Sequence, residues 1–171
     1  RAAEGVLGQG LQATVHLPYR WTDLAALDRG VWEGSLQSLV TAVRATAPLQ
    51  PLLWSVHPAS YVTQVYVGRA SPDQRMPLLE AAAERVVAGL RRLAQVAGPP
   101  LALENLEGVP LDLFQQVVEA AEVGVCLDVG HLVSDGEEPV TVVAALGPSL
   151  VGLHLHDALP PPDRCAHLPL G

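Results

Sequence analysis

Lysine does not occur in the 171 residues; all ten basic side chains are arginines. The chain therefore supplies no Schiff-base or other catalytic lysine. Cysteine is scarce as well. Cys126 and Cys165 are too few for a disulfide framework and fit a reducing, cytoplasmic setting. Apolar runs long enough for a membrane helix, about 18 residues, are missing. The stretch from Arg1 lacks the charged-then-apolar layout of a signal peptide. Aromatics make up 4% of a chain that is 49% hydrophobic, so the core must be aliphatic. Ten basic against 18 acidic residues leave a formal charge of −8. An acidic molecule repels a phosphate backbone, which disfavours nucleic acid as the main partner.

What is present is an alternation of apolar strands and helical stretches. Leu11 to Leu17, Leu52 to His57, Leu101 to Asn105, Val123 to Asp128 and Leu150 to His156 are expected as strands. Helices are expected over Trp32 to Ala47, Pro72 to Ala97, Pro110 to Glu122 and Pro139 to Leu146. Ser71 is expected to cap the second of these. Leu79, Ala83, Val86, Val87, Leu90 and Leu93 are its apolar face, and Arg91 and Arg92 suit its C-terminal dipole. Pro160 to Pro162 marks a loop, and Asp135 to Glu138 a solvated one. Trp21, Trp32 and Trp54 are expected as packing groups, and Cys126 as core. No composition break divides the chain, so residues 1–171 are expected to form one domain. Strands apolar on both faces and separated by helices imply a parallel α/β sheet covered by helices. Five strands fall short of a closed (β/α)8 TIM barrel, which takes about 250 residues. A barrel fragment, with open edges and low stability in isolation, is the expectation.

The polar residues fall in a pattern. Val15 leads into His16, Val56 into His57, Leu103 into Glu104, Leu127 into Asp128 and Leu153 into His154. Five successive strands thus finish in a side chain that can bind a metal. In a barrel those C-terminal ends converge on the face that carries active sites. A lone histidine at a strand end is usually a hydrogen-bonded structural group, but buried carboxylates and imidazoles in series need partners or metals. All six histidines, at 16, 57, 131, 154, 156 and 167, lie at or just beyond strand ends. In Asp128-Val129-Gly130-His131 the glycine is expected to let the chain turn sharply between a carboxylate and an imidazole. Such donors suit Zn, Mn, Fe or Co rather than a Ca or Mg cage.

These segments resemble the xylose isomerase-like TIM barrels, which include endonuclease IV and many sugar isomerases and epimerases. The resemblance runs from the second barrel strand to just past the sixth. It is carried by His16-Leu17-Pro18-Tyr19, His57-Pro58, Glu104-Asn105, Cys126-Leu127-Asp128-Val129-Gly130-His131 and His154-Leu155-His156-Asp157. Asp163 and His167 follow, ahead of a Leu-Gly pair. It implies metal roles for His16, His57, Glu104, Asp128, His131, His154, Asp163 and His167, with Glu104 and His131 also catalytic. Tyr19, Asn105, His156 and Asp157 are implied to contact substrate. The endonuclease IV branch holds three zinc ions and uses a further glutamate on strand eight, which would lie beyond Gly171. One departure is the spacing of Asp163 and His167, wider than the Asp-x-His of that branch.

The branch decides the chemistry. Single-metal isomerases and epimerases, which use Mn, Co or Mg, need mainly the positions of Glu104, Asp128 and His154. Here the extra positions are also filled by ligand types, which points to a multinuclear zinc site and phosphodiester hydrolysis. The acidic balance favours a small-molecule diester. The His-Leu-Pro segments resemble phosphodiesterases that remodel cobamides. A sugar or sugar-phosphate isomerase or epimerase, with Glu104 or the strand-eight glutamate as general base, is the alternative. A DNA-repair endonuclease is third; its wedge would have to come from Tyr19, Arg20, Trp21, Tyr61 and Tyr66.

Overall fold

The computed structural model describes residues 11–99 and 101–171, apart from the side chains of Tyr61, Val62 and Tyr66. The stretch from Arg1 lies outside these. Strands β1 (Thr14–His16), β2 (Leu53–Val56), β3 (Leu101–Glu104), β4 (Gly124–Asp128) and β5 (Leu150–His154) form one sheet in sequence order. Every pairing in it is parallel. Helices α1 (Arg29–Thr46), α2 (Tyr61–Arg69), α3 (Pro72–Ala97), α4 (Leu111–Ala121), α5 (Val129–Asp135) and α6 (Pro139–Leu146) fill the crossovers. A short antiparallel hairpin, β6 (Asp157–Leu159) with β7 (Cys165–Leu168), follows β5. The sheet is thus a five-stranded arc of a TIM barrel, as the strand count predicts.

Strand alternation divides the residues of the sheet into two faces. Trp54, Val56, Leu101, Leu103, Val125 and Leu127 join the helices in one continuous core. Leu53, Ala102 and Cys126 form a smaller cluster on the concave side. Gly152 belongs there too: a Cβ on it would stand 2.5 Å from a Leu53 methyl and 3.4 Å from the Cys126 sulfur. On β3 the concave face therefore runs from Ala102 to Glu104. Both are buried, and chemistry begins where the apolar filling stops.

The helices form for local reasons. Asp28 caps α1 by accepting from the Val31 N–H at 2.9 Å. Trp32, Leu36, Leu39 and Val43 make its buried stripe, and Pro48 lies in the 3-10 turn that ends it. Trp32 donates to the Arg85 carbonyl at 3.1 Å and Trp54 to the Thr46 hydroxyl at 2.9 Å, so both indoles pack with a satisfied N–H. Trp21 does not; it is 87% exposed in the loop after β1. On α3 the buried face is Leu79, Ala82, Val86, Gly89, Leu90 and Leu93. Ala83 and Val87 are half-buried beside it. Gly89 allows close packing, since a Cβ there would meet a Leu24 methyl at 2.8 Å.

Several expectations change. Ser71 starts α3, but its hydroxyl bonds the Gln74 side chain at 2.9 Å and caps no N–H. Arg91 serves a neighbouring helix: it donates to the Ala120 carbonyl at the end of α4 from Nε (3.0 Å) and Nη2 (2.7 Å). Asp135 is no solvated loop residue. It ends α5, accepts from the Gly108 N–H at 2.6 Å and pairs with Arg164 at 3.3 Å. Helices α2 and α5 and the β6–β7 hairpin were not expected; Pro160 to Pro162 lies in the hairpin's turn. They are short, and segments of three to nine residues carry little periodicity.

Candidate metal centre

Each strand end delivers one side chain to the concave mouth of the arc. Glu104 sits at its middle, only 2% exposed. Its Oε1 is 2.9 Å from His154 Nδ1, and its Oε2 is 3.3 Å from both His16 Nε2 and His57 Nε2. The His16 ring lies 5.0 Å from that of His57 and 5.5 Å from that of His154, centre to centre. Tyr19 closes this side, 4.8 Å from the His57 ring and 5.2 Å from the His16 ring.

A second group stands on the other side of Glu104. Asp128 ends β4 and caps α5, accepting from the His131 N–H at 2.9 Å. That cap turns the His131 ring inward, where its Nδ1 bonds the Asn105 carbonyl at 2.9 Å. His156 Nε2 lies 2.8 Å from Asp128 Oδ1. The His167 ring stacks on His156 at 4.2 Å. Ligand atoms of His16, Glu104 and His154 lie within 4.8 Å of one another, as do those of Glu104, Asp128 and His131, and those of His131, His156 and His167. Glu104 thus belongs to two groups and His131 to two.

The donors are poised as metal ligands are. The Nδ1 atoms of His16 and His131 are each held by a backbone carbonyl, Leu17 (2.8 Å) and Asn105. That bond fixes the tautomer and leaves Nε2 its lone pair, the usual outer-shell arrangement around a metal-bound imidazole. His57 Nδ1, Glu104 Oε2 and His156 Nε2 are buried without a hydrogen-bond partner among the described residues. Unpaired buried polar atoms are rare, and Glu104 Oε2 and His156 Nε2 lie in the mouth among other ligand types, where a cation would pair them.

The charges respond to this crowding. Burial pushes the Glu104 carboxyl up, but contacts from His154, His16 and His57 together outweigh it and hold the carboxyl well below its usual range. His154, next to Cys126 and bonded to Glu104, is pushed up to about 10. Cys126 itself lies in the core, as expected.

Of the residues implied as ligands, seven are brought together: His16, His57, Glu104, Asp128, His131, His154 and His167. Asp163 is not. It lies exposed in the β6–β7 turn and joins none of these groups among the described residues. Two further residues, implied as substrate contacts, make bonds within the chain. Asn105 is buried and spends its side-chain amide on the Asp128 backbone, accepting at 2.6 Å and donating at 3.1 Å, so it braces β4. Asp157 is exposed and caps its own strand, accepting from Ala158 N–H at 2.9 Å.

His156 faces the second group from beside its ligands, and the signal for this was available: alternation puts residues 154 and 156 on one face. Gly130 does not make a sharp turn; it lies within α5. A cavity of about 410 Å3 opens elsewhere, between α2, α3 and α4, lined by residues such as Ala59, Val67, Leu79 and Phe114. It contains no histidine, and the ligand chemistry, not the cavity, marks the site.

The chain matches the family model for the xylose isomerase-like TIM barrel over residues 6–171. It belongs to that family. A D-tagatose 3-epimerase-like protein is similar at 17% identity with a TM-score of 0.72, over 92% of this chain and 60% of its own. Endonuclease IV from Thermus thermophilus is 26% identical with a TM-score of 0.61, over 91% of this chain and 56% of its own. TTHB071 protein from the same organism, in crystals soaked with zinc chloride, is 28% identical with a TM-score of 0.57, over 85% and 57%. The chain thus spans about 60% of the length of these structures. No curated protein sequence matches it.

The structures similar to this chain include both epimerases and an endonuclease, so family membership leaves the reaction open. The expectation against nucleic acid gains no support, because an endonuclease is among the similar structures. No helix among the described residues is long and apolar enough to cross a membrane. The side chains of Tyr61 and Tyr66, named for a DNA wedge, lie outside those described.

Proposed function

We propose that this xylose isomerase-like chain carries the metal centre of a hydrolase that cleaves a small-molecule phosphodiester, a cobamide nucleotide loop being the first substrate to test. The observation that carries the reading is the position of Glu104, a buried carboxylate shared by two ligand-capable groups. A single-metal isomerase, which needs mainly the Glu104, Asp128 and His154 positions, has no need of the further imidazoles of His16, His57 and His167. His16, His57, Glu104 and His154 would hold one ion, and Asp128, His131 and His167, with Glu104 between, would hold more. Bound there, zinc-type ions supply an activated water near neutral pH and positive charge for phosphate oxygens.

The protein's own residues do the rest. Glu104 and Asp128 set opposing negative charge between the imidazoles, and the carbonyls of Leu17 and Asn105 keep two rings aimed. Tyr19, 40% exposed over His16 and His57, stands where a substrate would enter and would orient it. The similarity to endonuclease IV, a phosphodiester-cleaving enzyme by name, and to the protein soaked with zinc chloride supports this choice. The acidic charge of −8 supports a small diester over DNA.

The test is elemental analysis of the full-length protein purified without added metal, followed by assays on cobamides and on ketose and aldose panels. About two to three zinc ions per chain with cleavage of the nucleotide loop is the expected result. One Mn, Co or Mg ion, with epimerised sugar and no diester cleavage, would replace this reading with the isomerase one.

A further inference from the structure

We propose that His131, His156 and His167 hold one divalent transition-metal ion, with His156 completing the set that Asp163 was expected to complete. This rests on the multinuclear reading above and changes its ligands. The three rings touch: centres are 4.2 Å apart for His156 and His167, 5.4 Å for His131 and His167, and 5.7 Å for His131 and His156. Packing of this kind would be met by any three flat side chains. The atoms at stake are more specific.

His156 Nε2 is buried and unpartnered, although Asp128 Oδ1 is only 2.8 Å away. The two atoms form no hydrogen bond. Nδ1 lies 3.1 Å from the Asp157 carbonyl and 2.9 Å from the His167 backbone nitrogen. If Nδ1 accepts from His167, Nε2 carries a buried proton with no acceptor. If Nδ1 donates to Asp157, the Nε2 lone pair faces a carboxylate lone pair. A cation satisfies the second arrangement, and nothing among the described residues satisfies the first. His131 Nδ1 is held by the Asn105 carbonyl, which leaves Nε2 as the ring's ligand atom.

Two backbone features serve this geometry. Gly130 lies inside α5, where glycine is disfavoured relative to alanine. A Cβ on it would stand 1.9 Å from Cε1 and 2.1 Å from Nδ1 of His156, so any side chain at 130 evicts the ring. His167 has φ of 60°, in the left-handed region that non-glycine residues seldom adopt. That conformation presents its ring to His156 from the hairpin. Asp163, four residues earlier, is left in the turn.

Three imidazoles offer nitrogen donors, and the Asp128 carboxylate stands beside one of them. The site is therefore suited to Zn, Co, Ni or Cu over Mg or Ca.

The experiment is metal content of the zinc-loaded full-length chain and three variants, with circular dichroism on the same samples. His156→Ala and Gly130→Ala are each expected to bind one ion fewer than the parent, and Asp163→Ala the same number. Retention of every ion by His156→Ala, or loss of one by Asp163→Ala, overturns the proposal. If His156→Ala does not fold, His156→Gln takes its place, and the Asp163→Ala result decides independently. A cobalt-loaded series gives a second readout, since the visible spectrum should change in the His156 variant and not in Asp163→Ala. A parent chain that binds no ion at all would instead bring down the hydrolase reading itself.

Discussion

Glu104 is the residue on which the site depends, because one buried carboxylate answers three imidazoles. Removing one partner of a buried charged cluster leaves the others uncompensated, at roughly 3–5 kcal/mol. Glu104→Gln keeps the shape and removes the charge. It is expected to lose at least one bound ion and to cut diester cleavage by about a hundredfold or more, as loss of a directly acting group does. Metal analysis and single-turnover rates check this; full metal content in the Gln variant would exclude a ligand role for Glu104. Tyr19 is different in kind. It is half-exposed and touches the rings without a hydrogen bond to Glu104. Tyr19→Ala is expected to raise KM for the diester while leaving metal content unchanged.

At the scale of elements, the loop after β1 and the start of α2 are tied by one buried aspartate. Asp23 accepts from the Ala25 N–H at 3.0 Å, from the Ser60 hydroxyl at 2.7 Å and from the Thr63 hydroxyl. Asp23→Ala would leave those donors buried without an acceptor, and a loss of about 2–3 kcal/mol is expected. The denaturant midpoint reads it. On α3, Gly89→Ala sets two effects against each other. Alanine favours helix by about 1 kcal/mol. The added methyl, however, meets the fully buried Leu24 at 2.8 Å, and overpacking costs about 1–3 kcal/mol. Overpacking is expected to win, and the melting temperature to fall; a rise would mean that Leu24 moves aside freely.

For the whole molecule, the concave mouth concentrates six imidazoles and two buried carboxylates at one end of a five-stranded arc. Ions that bind only the folded chain stabilise it by mass action, by about 2.7 kcal/mol at a hundredfold excess over Kd. For a chain of this size that corresponds to roughly 5–10 °C in Tm. Chelation is therefore expected to lower Tm by such an amount, and zinc to restore it. A Tm unmoved by chelator would argue that the imidazoles serve folding alone.

Much of this was legible along the chain. Apolar runs separated by amphipathic helices dictate a parallel sheet, because strands with two buried faces need helices on one side and a packed interior on the other. The places where those runs end in His16, His57, Glu104, Asp128 and His154 could be read directly, since strand ends in such a sheet share one face. Short elements were not legible, because α2, α5 and the hairpin hold too few residues for a period to show. Nor were the contacts between distant segments. Asn105 is polar beside a site, yet tertiary packing turns it onto the β4 backbone. Gly130 looked like a turn, and only the fold shows a ring from residue 156 in the space of its missing side chain. Asp163 and His156 are both ligand types near His167. Residue type placed all three in the second group's neighbourhood; the hairpin, by stacking His156 on His167 and leaving Asp163 in its turn, decided which of them meet.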